Sequence, residues 1–342
     1  MSDTGLVMAK VTLQSVADEV GVSRMTVSNA FSRPDQLSKE LRERILATAE
    51  TLGYSGPDPA ARALARGRTG AVGLLLNGPL SEAFEDDVSA EFVAAVADEL
   101  TRRGLALTVL TPPQGDRFLP ARDVAVDGAL VYTCDPTSAG VAWLSRRKLP
   151  VVAVDQDLGR EVTTIGVDDL SGARAGARHL LELGHRRIGV LALTEQFAHD
   201  PPNRDRLLGW RRALGEHGLE PVVARTTLLP RSAAFAAATD LLESSDVTAV
   251  LCFDDVFARA VIAAATALGR SVPGDLSVVG YDDSRAATVG VPALTTVRQD
   301  VTAKGHLAAG AIADLLDGRA ARSHVLPTEL VVRDSTGPVP AP

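Results

Sequence analysis

The sequence predicts a small all-α head, a helix-turn-helix, joined by a linker to a two-lobed α/β body whose sheets are doubly wound and parallel. Three observations carry that prediction. Residues 11–53 hold three short amphipathic helical patterns, Pro and Gly cluster at 55–70, and from residue 71 apolar runs alternate strictly with amphipathic helices. At roughly 100–200 residues per domain, a chain of 342 residues allows two or three folding units.

The first ten residues show no helical or strand pattern and read as disordered. The first helix follows Thr12, an N-cap residue, and puts Leu13, Val16, Ala17 and Val20 on one face before Gly21 breaks it. Ser23 caps a second helix with Val27, Ala30 and Phe31 turned inward. Ser38 caps a third, with Leu41, Ile45, Ala49 and Leu52 aligned ahead of Gly53. These helices make a head at 11–54. In the linker, 55–70, Pro57 and Pro59 stop the third helix, yet "AARALA" (60–65) is a helix former too short to be stable alone. The body at 71–334 reads as strands in "AVGLLL" (71–76), "LALTVL" (105–110), "DGALVY" (127–132) and "PVVAVD" (150–155). "RIGVLAL" (187–193), "TAVLCF" (248–253) and "LSVVGY" (276–281) continue the series. Strands apolar on both faces, separated by helices, belong to parallel sheets covered on both sides. Residues 335–342 form a tail, "STGPVPAP" at its end, without leucine heptads, so a dimer rather than a tetramer is expected.

Composition narrows the function. No window approaches the roughly 18 unbroken apolar residues of a membrane helix, and "MSDTGLVMAK" lacks the basic start and apolar run of a secretory signal. Only two cysteines occur, Cys134 and Cys252, far apart and without metal-ligand spacing, which fits a reducing cytoplasm, two apolar buried thiols and no metal. Net charge is −8, but residues 1–70 carry nine Lys or Arg against eight Asp or Glu, a net +1. The head is therefore relieved of the acidic excess, so contact with phosphates is open to it. No GxGxxG, GKS/T, GxSxG or HExxH occurs, and His185, in "ELGHRRIG", has no motif-placed nucleophile beside it; it reads as a structural histidine favouring a helix dipole. Enzyme chemistry has no foothold, and no cofactor is expected.

With Val27, Ala30 and Phe31 inward, the second helix turns Arg24, Met25, Ser28 and Asn29 outward together. That is the layout of a helix-turn-helix whose second helix enters the major groove of double-stranded DNA. Arg24 suits guanine O6 and N7, Asn29 suits adenine, and Met25 packs on a thymine methyl. Ser23, Thr26 and Ser28, with the helix amides, suit phosphates, and Thr12 completes the candidate DNA surface. A solvated helix in a protein-binding module is the alternative.

The stretch "VTLQSVADEVGVSRMTVSNAFSRPDQLSKELRERILATAETLGY" resembles the head of the LacI/GalR family of bacterial transcription regulators. The likeness continues through "PAARALARGRTGAVGLLL", "LLELGHRRIGVL", "DRLLGWRRAL", "CFDDVFA", "LSVVGYDDS" and "PALTTVRQD", in order and over nearly the whole chain. It implies a homodimeric regulator, a repressor on a pseudo-palindromic operator, controlled by a small polar effector. It also implies that 60–65 orders as a hinge helix on the operator, with Leu64 wedged into the minor groove and Ala60 and Ala61 allowing close approach of groove and partner helix. Here one more residue separates Tyr54 from Leu64 than in familiar members, so the hinge register is open by one residue.

The body resembles periplasmic sugar-binding proteins, whose ligand lies between lobes at the carboxyl ends of the strands. The residues themselves nominate Asp155, Asp254 and Asp282, each just past an apolar strand, and Arg206 before "LLGW" as the counter-charge from a nearby helix. Strand-end aspartates also cap the following helix, an alternative that stays open for Asp155 and Asp254. By resemblance, Asp282 and Arg206 are the best supported contacts, and familiar members often carry Asn at the position of Asp254. Phe84 is a candidate to stack on a ring face. The set favours a sugar, sugar phosphate or other sugar derivative, with a nucleoside or purine as the alternative. A transport-type binding protein is opposed by the head and by the lack of an export signal.

Overall fold

The computed structural model describes residues 11–76, 78, 80–111, 118–197, 200–227 and 231–339. The expected disordered segment 1–10 and the last three residues of the expected tail lie outside them. The chain divides into two compact units, Met1–Thr69 and Gly70–Pro342.

In the first unit, helix α1 (Leu13–Val20) opens on a reciprocal cap: the Ser15 amide donates to Thr12 Oγ1, and the Thr12 amide donates to Ser15 Oγ at 3.2 Å. Gly21, at φ 77°, takes the left-handed turn that ends it. Helix α2 (Arg24–Ser32) starts at Ser23, whose Oγ accepts the Thr26 amide at 3.0 Å, and α3 (Lys39–Thr51) starts at Ser38. Val16, Ala17, Val27, Ala30, Ile45 and Ala49 form the buried centre. Phe31 sits at its edge, half-buried, with its ring meeting Tyr54 edge-on at 5.8 Å. Helix α4 (Pro59–Arg66) follows, with Asp58 as N-cap, Pro59 in the first turn and Gly67 closing it. None of its residues is buried, so the linker segment holds its helical form on caps and propensity alone.

The second unit holds two six-stranded sheets. Its first lobe begins with β1 (Ala71–Leu76), α5 (Leu80–Glu85), α6 (Asp87–Arg102) and β2 (Ala106–Leu110). It continues through α7 (Pro120–Asp123), β3 (Gly128–Tyr132), α8 (Ala139–Arg146), β4 (Val151–Val154) and β5 (Thr163–Val167). The chain then crosses over. The second lobe takes α9 (Asp169–Glu182), β6 (Ile188–Leu193), α10 (Pro201–Gly215), β7 (Val222–Thr226) and α11 (Arg231–Ser244). Its remaining elements are β8 (Ala249–Cys252), α12 (Asp255–Ala267), β9 (Ser277–Asp282), α13 (Arg285–Thr288) and β10 (Thr295–Gln299). A second crossing returns the chain to the first lobe for α14 (Val301–Leu316) and β11 (His324–Leu326), and a third delivers β12 (Thr328–Val331) to the second. The strand orders are β11-β5-β4-β3-β1-β2 and β12-β10-β9-β8-β6-β7.

All pairings are parallel except β10 with β12, where Thr296 faces Val331 antiparallel. The expected parallel sheets are thus present, with one antiparallel edge, where β12 reaches its sheet by direct crossing rather than through a covering helix. The crossings are tied together: the Asp168 amide donates to Leu326 O at 2.9 Å, and Thr328 Oγ1 donates to Asp168 O at 3.1 Å. Helices α9 and α10 pack closely because residue 209 is glycine; a Cβ there would come within 2.5 Å of Leu170 O.

Candidate functional site

On the head, α2 presents Arg24 fully to solvent and Met25 at 69% exposure, with Thr26, Ser28 and Asn29 half-buried beside them. Arg24 makes no hydrogen bond or ion pair among the described residues. The Asn29 amide is already oriented: its Nδ2 donates to Gln36 Oε1 at 3.1 Å, a support sequence reasoning missed. Ser23 Oγ is engaged as the α2 cap and bonds Thr26 Oγ1 at 2.8 Å, so both hydroxyls have intramolecular partners. Thr12 is likewise spent on capping α1. On α4, Leu64 is 87% exposed.

In the body, residues that end or follow parallel strands of both lobes meet where the lobes join, in what is the candidate ligand cleft. Asp282 closes β9, and its Oδ1 accepts Gln299 Nε2 at 2.6 Å and lies 3.2 Å from Arg206 Nη2. Arg206, on α10, is 4% exposed. Its Nε donates to Asp169 Oδ1 at 2.7 Å and its Nη1 to Phe253 O at 2.6 Å. Its guanidinium lies 3.6 Å from the Tyr281 ring centroid. Desolvation works against this cation, but Asp169 and Asp282 outweigh it and raise its pKa. Burial raises Asp169 and Asp282 in turn, partly offset by the guanidinium.

Asp155 follows β4 in the left-handed region at φ 53° and accepts Lys304 Nζ at 2.5 Å through Oδ2. Lys304 comes from α14, is 1% exposed, and also donates to Gln299 Oε1 at 2.9 Å. This corrects the view of Arg206 as the counter-charge of the cleft: a second cation is buried there. Lys304 was legible only as a lone lysine in the apolar run "VTAKGHLAAGAIADLL", and Gln299 lay unremarked in "PALTTVRQD". Asp254 does cap a helix, its Oδ1 accepting the Phe257 amide at 2.6 Å, while Asp155 caps none. Burial, reinforced by the charge of Asp282, pushes the Asp254 carboxyl up to about 7. Burial likewise lifts Asp200 to about 7. Asp86, the N-cap of α6, raises both Asp254 and Asp282, so its carboxylate faces them from the first lobe.

The structure therefore brings Asp155, Arg206, Asp254 and Asp282 into one neighbourhood. It does not bring Phe84 there by any ring contact among the described residues; that side chain is 57% exposed on α5. Among the described residues, buried polar atoms without a hydrogen-bond partner include Asp155 Oδ1, Gln156 Oε1, Thr194 Oγ1, Asn203 Oδ1 and Ser284 Oγ. Such atoms cost free energy unless something donates to or accepts from them. No cluster among the described residues has the makings of a metal site. His185 lies elsewhere, wholly buried, bonding Thr248 Oγ1 at 2.9 Å and Ser277 Oγ at 3.0 Å. Burial lowers its pKa, so it acts as a neutral clamp between strands rather than a cation on a helix end. Cys134 and Cys252 are buried, and burial raises both thiols, Cys134 to about 12.

A helix-turn-helix head on a two-lobed body with a polar cleft defines a class, the ligand-responsive transcriptional regulators. Comparison with known proteins carries this to a family. Residues 12–56 match the bacterial regulatory proteins of the lacI family, and residues 177–336 match the periplasmic binding protein-like domain. The chain is 37% identical over 358 residues to the HTH-type transcriptional regulator Rv3575c of Mycobacterium tuberculosis, covering 96% of this chain and 98% of that one. Among solved structures, the lac repressor dimer bound to operator and the anti-inducer ONPF superposes with TM-score 0.83 at 27% identity, covering 96% and 99%. The complex of the regulator CelR with cellobiose gives 0.71 at 29% identity, covering 95% and 100%. The chain belongs to the LacI family of transcriptional regulators. Its relatives are regulators rather than enzymes. Among the described residues, no helix is long and apolar enough to cross a membrane.

Proposed function

We propose that this regulator is a homodimeric repressor that binds a pseudo-palindromic operator and responds to a sugar or sugar derivative in the cleft. The observation that carries the effector reading is the set of unpartnered buried polar atoms at strand and helix ends: Asp155 Oδ1 past β4, Thr194 Oγ1 past β6, and Asn203 Oδ1 one turn before Arg206 on α10. A polyhydroxylated ring donates and accepts around its whole rim and satisfies such atoms, while a wrong ligand leaves them unpaired. A nucleoside asks for an open aromatic face. Tyr281 is wholly buried, and the Arg206 guanidinium lies over its ring. The named cellobiose complex of CelR supports a sugar.

On the DNA side, Arg24, Met25 and Asn29 read bases, and Ser23, Thr26, Ser28 and Thr12 set the register through backbone amides and hydroxyls at the helix starts. Leu64 enters the minor groove once two α4 helices pair on the operator, and lobe closure around the effector alters that pairing. The test is fluorescence anisotropy with fragments of the promoter region upstream of the gene, titrated with cellobiose, hexoses, pentoses and nucleosides. A fragment bound tightly and released or tightened by a sugar is the expected result. Indifference to every fragment, with or without these compounds, refutes the reading.

A further inference from the structure

We infer that Lys304 sets the charge class of the effector: it holds Asp155 as a fixed acceptor for an uncharged hydroxylated ligand and makes the cleft reject phosphate or carboxylate esters of it. The inference rests on the reading of the cleft as a sugar-type site. Lys304 lies in an otherwise apolar stretch of α14 that packs on the first lobe, where a buried ammonium is a cost unless fully paired. It is paired on both sides, with Asp155 Oδ2 at 2.5 Å and Gln299 Oε1 at 2.9 Å. That leaves Asp155 Oδ1, buried and unpartnered, as the oxygen able to accept from a ligand. Residue 166, a glycine, is its neighbour on β5: a Cβ there would come within 3.6 Å of Oδ1.

The pairing continues. Gln299, its Oε1 taken by Lys304, must turn Nε2 toward Asp282, whose Oδ1 also meets Arg206, which in turn holds Asp169. Two cations are thus matched by three carboxylates, while burial pushes the nearby Asp200 and Asp254 carboxyls up to about 7 and lifts Asp255 well above its ordinary value. Both guanidinium and ammonium are already committed, so an entering phosphate meets three paired carboxylates and no uncommitted cation of this network. A hydroxyl finds oriented acceptors instead. Removing the ammonium alone strands the buried Asp155 carboxylate, so its effect on stability and its effect on ligand response have to be read separately.

The probe is a soluble metabolite extract of the bacterium that encodes the protein, split on an anion exchanger into retained and unretained fractions. Thermal melting of the full-length protein is followed in each. The unretained fraction is expected to raise Tm, and the retained fraction is not. Lys304→Met should weaken the ligand-induced rise by about tenfold or more in the concentration needed, and Lys304→Arg, which keeps the cation, should recover part of it. A purely structural lysine would lower the ligand-free Tm and leave the concentration dependence alone. A rise with the retained fraction only, or an unchanged response in Lys304→Met, overturns the inference. A rise in neither fraction counts against the sugar-type reading itself and removes this one with it. Should Lys304→Met fail to fold, Asp155→Asn replaces it, with the same loss expected and an unchanged response again overturning the inference.

Discussion

Replacing Arg206 by alanine strips two buried carboxylates of their shared partner. Asp169 and Asp282 are 6% and 8% exposed, and water cannot take over from the guanidinium that now sits 2.7 Å and 3.2 Å from them. Breaking one partner out of a buried ion pair costs about 3–5 kcal/mol, and at about 2–4 °C per kcal/mol for a unit of this size the melting temperature should fall by roughly 6–20 °C. The deficit has a pH signature. Both carboxyls titrate above their ordinary values in the folded protein, and losing the guanidinium raises them further. An acid whose folded pKa is raised binds more protons folded than unfolded, so stability falls as pH rises from the unfolded value through the folded one. The variant should therefore be worst at pH 8 and recover toward pH 5. The assay is thermal or urea unfolding followed by tryptophan emission, since the two tryptophans, Trp143 and Trp210, both lie in the body and report on it alone. A drop of less than about 3 °C, or one equal at both pH values, refutes the claim that the guanidinium is what keeps these carboxylates tolerable there.

Further outcomes follow from the same geometry. Arg24→Ala should lose about 1–3 kcal/mol on the specific operator and little on random DNA, measured by anisotropy at one salt concentration, whereas a uniform drop would make Arg24 a phosphate contact. Leu64→Ala should leave the melting temperature unchanged, because the side chain is 87% exposed, while operator affinity falls by a few kcal/mol as the wedge is lost; equal affinity would refute the wedge. Asp254→Asn keeps the α12 cap and removes a carboxyl pushed up to about 7. It should stabilise the body by about 1–3 kcal/mol at pH 8, a gain that shrinks as pH falls below 7 and vanishes near 4, checked by melting curves across that range.

The cores were legible because their signals are local. Three caps, Thr12, Ser23 and Ser38, each precede an apolar helical period, and the central strands are unbroken apolar runs. The strands that escaped, β5, β7, β10, β11 and β12, are short or carry Thr, Arg and Gln, and all five lie at or next to a sheet edge, where one side need not be apolar. In the cleft, Asp155, Asp254 and Asp282 were found because they end strands, and Arg206 because it precedes a recognisable helix. Lys304 and Gln299 were not, since nothing in the sequence near residue 304 announces a partner 149 positions earlier. Phe84 carries no such local signal: it stands 57% exposed on α5.

The threefold crossing has a cost during synthesis. The first lobe cannot be finished when its first five strands have left the ribosome, because the α14 cover and the β11 edge are translated only after nearly the whole second lobe. Until then β5 offers an open rim and the apolar face destined for α14 stays wet, the conditions under which nascent chains stick to one another. Assembly of this half must wait on its neighbour, so a chain stalled before residue 301 would leave ribosomes carrying a half-built sheet, a natural client for chaperones.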